Sequence, residues 1–506
     1  MKEVSKKING ILAATALLTA SVVAQHGIAA DDFEAYKRQQ QQGTEKIKAE
    51  FQEYKEKQDR EFADFLKGQW SEFDTYRGKV RIKEPKPKQV PVVVPAVPVR
   101  PTPSPDEPVP APAPVVVVPP LQPVIPPPPP AQPKPVPVAA DMLEIMFYGN
   151  AVRFNFDPKW KNYRMPGGDK PEAMSAFWTM MSGSNYEATV QAIGDARHNL
   201  KMDDWGGVTL WRSVAQTLQP ERKSEQNLLL WYFLVKSGYD VRMGYGGNDV
   251  HLFVAMKQPV YSTKYTKVGD QTYYAVLAAD YGDSIRSFYT YEASYPNRLK
   301  PLDIKSASTS FTKTVSAKRA LAFEHKGKII NLSVPYDRRL VEYFASFPQS
   351  EFELYFDTDG SSLVRNGLLA ELKKYTASMS EEEAVEFLLA FVQKSFPYKT
   401  DNDQFGREKY FFVEESLHFP YNDCEDRSVL FAWLVHELVG VKVIGLLYPG
   451  HMTTAVALKR VKPGFSTVSY QGNQYVIADP TYIGASLGMP MPSYARLKPN
   501  RVVAIH

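Results

Sequence analysis

Tyr421-Asn422-Asp423-Cys424-Glu425-Asp426-Arg427-Ser428 opens an apolar run at helical spacing. Tyr448-Pro449-Gly450-His451 then starts a strand, and Ala478-Asp479-Pro480-Thr481 closes another. Cys424 is the only cysteine among 506 residues. A thiol, an imidazole and a carboxylate in that order, on helix, strand and strand, are the parts of a thiol hydrolase or acyltransferase.

Each part has a local reason for its place. Asn422 or Asp423 can cap the helix, and Glu425 and Asp426 fill its first turn. Val429, Leu430, Trp433, Leu434 and Leu438 form its buried face. The thiol therefore falls at a helix N-terminus, where free N–H groups favour a thiolate, while the flanking carboxylates oppose it. Gly450 allows a tight turn before His451, and Pro480 fixes the backbone after Asp479. His436, twelve residues past Cys424 on the same helix, is too far to activate it and reads as a surface residue.

The Asp-Cys-Glu-Asp helix start, the Gly-His strand and the Asp-Pro-Thr strand end are similar to the pattern of the transglutaminase-like superfamily. The resemblance covers about residues 376–490. It implies Cys424 as nucleophile, His451 as general acid/base and Asp479 as orienting carboxylate. It implies a cysteine-proteinase-like α+β unit with helices packed on an antiparallel sheet. The Cys424 N–H and Asn422 are the candidates for an oxyanion donor. Family members often place an aromatic after the strand histidine, where this chain has Met452-Thr453-Thr454.

The unit occurs twice. Ser224-Glu225-Gln226-Asn227 lies 200 residues before Cys424-Glu425-Asp426-Arg427, and His251 lies 200 before His451. Asp280 falls within one residue of the place under Asp479. Upstream matches, such as Gly183-Ser184 with Gly360-Ser361, are shifted by 177, which places a 23-residue insertion just before Cys424. That insertion holds Asp401-Asn402-Asp403-Gln404-Phe405-Gly406-Arg407-Glu408-Lys409-Tyr410-Phe411-Phe412, polar then aromatic, and is expected to form a substrate-contacting wall or lid. The fold expected is thus α+β with two tandem transglutaminase-like units, at 140–300 and 315–506. The first, with Ser224, His251 and Asp280, is read as a degenerate copy. Lys223 makes Ser224 look like an ordinary helix cap, and Trp205, Trp211, Trp231 and Tyr232 would supply core and a groove.

The first 139 residues differ in kind. Lys2, Lys6 and Lys7 precede the apolar stretch Ile11–Ala24, as in an export signal over residues 1–30 cleaved after Ala24 or Ala30. An uncleaved inner-membrane anchor is the alternative. Residues 31–82 carry an eleven-residue repeat: Phe51, Phe62 and Phe73, and Tyr54, Phe65 and Tyr76. Eleven residues make about three helical turns, so the rings share one stripe of a long helical stalk. So thin a stripe predicts self-association or docking on a partner. Residues 83–139 contain 23 of the 40 prolines and read as an extended linker.

Composition narrows the function. A net charge of +4 on 60 basic and 56 acidic groups gives no reason to invoke nucleic acid. One cysteine and eight scattered histidines show no metal-ligand spacing, so no metal and no cofactor are expected. A lone thiol retained in an exported chain points to chemistry. The leading expectation is a periplasmic or secreted bacterial cysteine enzyme. It acts on a protein or peptide substrate through a thioester, as peptidase or acyltransferase. A cell-wall amide substrate and a non-enzymatic envelope scaffold stay open.

Overall fold

The computed structural model describes residues 30–68, 70–77, 86–90, 92–93, 141–247, 249–277, 287–292, 295, 299–304, 306–307 and 309–505. The export signal, Asp280 and all of the proline-rich stretch beyond residue 93 lie outside the described residues. The helices and antiparallel sheets make an α+β protein. No helix among the described residues is long and apolar enough to cross a membrane. The chain divides into two compact units, residues 1–68 with 171–183, and residues 69–170 with 184–506.

The smaller unit is built on the helix Ala30–Leu66. Its last turns pack on the helix Lys170–Ser182. Phe62 meets Trp178 edge-on at 4.7 Å, Trp178 Nε1 donates to Asp59 Oδ1 at 3.2 Å, and Ser175 Oγ donates to the carbonyl of Ala63 at 2.7 Å. Part of the aromatic stripe is thus covered by the chain itself, while Tyr54 is exposed. The stalk helix expected through residue 82 ends at Leu66. Lys67-Gly68 breaks it, and the third repeat falls on strands β1 (Ser71–Asp74) and β2 (Tyr76–Arg77). Trp70, Phe73, Thr75 and Tyr76 favour extended backbone, and here sheet pairing overrides the helical spacing.

The larger unit repeats one order of elements. A hairpin comes first: β3 (Met142–Phe147) with β4 (Asn150–Asn155). Helices follow, ending in Lys223–Lys236, which carries Ser224. Five strands close the run: β5 (Val241–Gly246), β6 (Asp249–Ala255), β7 (Lys264–Val268), β8 (Gln271–Tyr274) and β9 (Ser287–Thr290). The second run starts with the hairpin β10 (Ser316–His325) and β11 (Lys328–Asp337). It passes through the helix Glu381–Ser395 to the helix Cys424–Val439. It ends in β12 (Val443–Tyr448), β13 (His451–Val456), β14 (Thr467–Tyr470), β15 (Asn473–Ala478) and β16 (Arg501–Ala504). Both opening hairpins turn through residues with positive φ, Tyr148-Gly149 at 43° and 79° and Lys326-Gly327 at 50° and 75°, the backbone of a two-residue hairpin turn.

The strand orders match as well. The C-terminal sheet runs β14-β15-β13-β12-β16, and the N-terminal sheet contains β7-β8-β6-β5-β9 in the corresponding places. The two runs thus share the order hairpin, helices, strands and one strand order. The N-terminal sheet has an addition: β1 bonds to β9 at one edge and β2 to β7 at the other. One residue separates β1 from β2, so this segment closes the sheet on itself around Phe73, Phe253, Val268, Tyr273 and Phe288.

Candidate active site

The helix Cys424–Val439 begins at Cys424 itself. Asp423 precedes it, and the Asp423 N–H donates to Asp426 Oδ2 at 3.1 Å. Gly440, in the left-handed conformation at φ 72°, ends it. Every residue from Cys424 to Val435 is buried, including Glu425, Asp426 and Arg427. A helix apolar or paired on all sides belongs inside a core. This one packs against the helix Glu381–Ser395 and against β13. The latter helix starts with a reciprocal cap, Glu383 N–H to Ser380 Oγ and Ser380 N–H to Glu383 Oε2.

His451 opens β13 directly after Pro449-Gly450, where Gly450 takes φ 68°. Asp479 follows β15 and is locked by its own turn: Oδ1 accepts from Thr481 N at 2.9 Å and Tyr482 N at 3.2 Å. That leaves Oδ2 for His451 Nε2, at 3.0 Å. The Tyr494 ring stacks on the imidazole at 4.8 Å. Burial pushes the Tyr494 hydroxyl up, and the charges of Cys424 and Asp479 add to that, so both candidate anions of the site act on this one phenol. The start of the cysteine helix is tied to β13 by Ser428 Oγ, which lies 2.7 Å from the carbonyl of Cys424 and 3.4 Å from that of Met452.

The fold thus places Cys424, His451 and Asp479 in one region, all at 1% exposure or less. The thiol is not turned to the ring. Cys424 Sγ donates to Glu425 Oε2 at 2.9 Å, and His451 Nδ1 has no hydrogen-bond partner among the described residues. Burial opposes the thiolate, and the flanking carboxylates add to it, as their place in the sequence suggests. Burial first, then the charges of Glu425 and Asp423, push the Cys424 thiol well above its usual value, against a smaller opposing effect of Lys86. Desolvation outweighs the helix dipole when the group has lost all contact with water.

Beside the thiol lies a buried ion cluster. Lys86 Nζ is 2.6 Å from Asp423 Oδ2, 2.6 Å from Glu425 Oε1, 2.8 Å from Glu408 Oε2 and 3.4 Å from Asp401 Oδ2. Burial, and then the neighbouring Glu425 carboxylate, raise the Asp423 carboxyl to about 7, and Asp401 and Asp426 are likewise held well above the carboxylate range. Carboxylate oxygens of Asp401, Glu408 and Glu425 lie within 4.8 Å of one another, as do those of Asp401, Asp423 and Asp426. Such groups can surround a cation, and here the cation is the Lys86 ammonium. Sequence spacing offered no ligand set because these residues come from separate segments.

Several expectations change in detail. Asn422 is buried, and one N–H of its Nδ2 donates to the carbonyl of Ser416 at 3.4 Å. The aromatic part of the insertion is no lid: Tyr410, Phe411 and Phe412 are core residues. Phe411 N–H donates to Asp426 Oδ1 at 3.0 Å, which braces the cysteine helix. The polar part contributes Asp401 and Glu408 to the ion cluster. His436 is exposed. In the first run Ser224 is no cap, because the helix starts at Lys223 with Arg222 at the cap position. No hydrogen bond joins Ser224 to His251 among the described residues, and Asp280 lies outside them.

Sequence reasoning missed Lys86, Tyr494 and Arg427. Lys86 stood in what read as linker, and Tyr494 lies beyond the stretch, about 376–490, that carries the resemblance. Arg427 stands beside Glu425 and Asp426 in the first turn, where a charge is ordinary. It is buried with Nη1 3.4 Å from the carbonyl of Pro480, Nη2 on the carbonyl of Phe396 and its guanidinium over the Tyr398 ring. No family model, no curated protein and no solved structure matches this chain.

Proposed function

We propose that this chain is an exported thiol enzyme of the transglutaminase-like kind. It would act on amide bonds of proteins or peptides through a thioester at Cys424. The observation that carries the reading is the state of His451: buried, fixed at Nε2 by Asp479, and left without a partner at Nδ1, on the strand packed against the Cys424 helix. An unmet buried nitrogen costs stability, and retaining one is consistent with a proton-transfer role. The sequence words around the three residues and the repeated α+β unit are further support.

In this reading the Cys424 side chain leaves Glu425 by rotating about its Cα–Cβ bond and gives its proton to Nδ1. The thiolate attacks the substrate carbonyl. The imidazolium, steadied by Asp479, protonates the departing amine, and a thioester remains. Water or a second amine then resolves it, giving hydrolysis or acyl transfer. The first run, with serine in place of the thiol, serves as a packing partner.

One observation favours a second reading, an envelope scaffold without turnover: the thiol is sealed and held in its protonated form. A single experiment divides the two. A thiol-directed probe that mimics a peptide amide is added to the full chain and to Cys424→Ala. Labelling of the first and not the second supports the enzyme. No labelling of either supports the scaffold.

A further inference from the structure

Lys86 lies 337 residues before Asp423 in the chain, yet its side chain is only 2% exposed, buried among the residues on either side of Cys424. From there the chain continues toward the other end of the site. Val92 forms a parallel bridge with Ile483, and Val93 N–H donates to the Ile483 carbonyl at 2.9 Å. Val93 packs on the small apolar cluster of Tyr482, Ala485 and Met491, together with Tyr494. The segment thus starts at the carboxylates beside the thiol and ends four residues beyond Asp479, next to the tyrosine stacked on His451. A peptide bound across a cleft makes the same kinds of contact: backbone pairing for affinity and a side-chain pocket for choice.

The pocket chooses by charge. Four carboxylates from the insertion and from the helix start converge on one ammonium, and Asp423 and Glu425 are wholly buried. A neutral side chain of the same length would leave these groups without a counter-charge in a region sealed from water, which is costly. Asp423 Oδ1 still lacks a hydrogen-bond donor even with the ammonium in place.

We propose that the acidic pocket beside Cys424 is a subsite for a lysine side chain carried on an extended, proline-flanked polypeptide. Lys86–Val93 is its intramolecular occupant. The inference rests on the functional reading above only for the use to which the pocket is put; binding itself is independent of turnover. It names the substrate class as lysine-bearing extended chain. Lys86 is also among the charges that act on the Cys424 thiol, so the occupant sits beside the nucleophile.

The test uses the full chain. The probe is a fluorescent peptide of residues 83–95, beside a second peptide with norleucine in place of Lys86, which differs only by loss of the ammonium. Fluorescence anisotropy should show saturable binding to Lys86→Ala and at least tenfold weaker binding to the wild type, whose pocket is filled. The norleucine peptide should bind Lys86→Ala at least tenfold more weakly than the lysine peptide. Equal binding of the two peptides, or equal binding to wild type and variant, overturns the proposal. If circular dichroism shows that Lys86→Ala does not fold, Val93→Asp takes its place; it keeps the ammonium and breaks the apolar seat, and binding no stronger than to the wild type again overturns it. Repeating the titration in the double variant Lys86→Ala, Cys424→Ala, whose pocket is empty and which has no thiol, separates the two ideas. Binding without probe labelling of the wild type removes only the enzyme, and labelling without binding removes only the subsite.

Discussion

Replacing Asp423 by asparagine tests the electrostatics of the site without reference to any activity. The Asp423 carboxyl is wholly buried, and burial followed by the Glu425 charge raises it from 3.8 to about 7. A folded-state value above the unfolded one means that the folded chain holds the proton more tightly. The stability this group contributes is therefore complete below about pH 4 and is lost as pH rises through about 7. Each tenfold gain in proton affinity on folding is worth about 1.4 kcal/mol, so the full effect is on the order of 4 kcal/mol, of which about 2–3 kcal/mol falls between pH 5 and pH 8. Asparagine resembles the protonated carboxyl in shape and can still accept from Lys86. Urea unfolding of wild type and Asp423→Asn at pH 5 and pH 8 reads the difference directly. Asp401 and Asp426 owe part of their own rise to the Asp423 charge, so the difference between the two proteins reads Asp423 together with its coupling to them. The wild type should lose about 2–3 kcal/mol more than the variant over this interval. Parallel pH dependences would refute the reasoning and mean that Asp423 stays ionised beside Lys86.

Asp479→Asn removes the acceptor for His451 Nε2 while preserving the turn's size, and the rate of Cys424 labelling by the amide-mimicking probe should fall by about a hundredfold or more; an unchanged rate would detach Asp479 from the chemistry. Phe411→Ala should destabilise the chain by about 3–5 kcal/mol, because the ring is core; a change in probe rate at unaltered stability would restore the lid that the burial argues against. Ser224→Ala should leave probe labelling and the unfolding midpoint within error, since no hydrogen bond ties Ser224 to His251; lost labelling would show that the first run shapes the Cys424 site.

The α+β unit and its repetition were legible because both rest on local signals. Turn glycines at 149 and 327, helix starts at 223 and 424, and strands opening near His251 and His451 recur at fixed offsets. The pairing of His451 with Asp479 followed from the same words. What stayed hidden depends on contacts between distant segments. Lys86 sits among prolines and carries no local mark of burial; only the arrival of Asp401, Glu408, Asp423 and Glu425 from other segments makes a place for it. The stalk was over-extended for a related reason. Phe73 and Tyr76 keep the helical beat of Phe51 and Phe62, but partners at both edges of a sheet hold that stretch extended. For the thiol, the helix end and the opposing carboxylates could be read from the sequence, whereas burial, the largest influence on it, can be read only from the finished fold.

The segment that zips the N-terminal sheet shut has a practical side. Ser71–Arg77 precedes the proline-rich stretch, so the strand completing this barrel-like sheet is threaded in from beyond a long detour of chain. A fragment trimmed at residue 140, where composition invites the cut, would keep every strand from β3 onward and still come out unlatched. The bare flanks of β7 and β9 would then be free to clasp another molecule, and such a fragment should be recovered as aggregate or as a strand-exchanged pair.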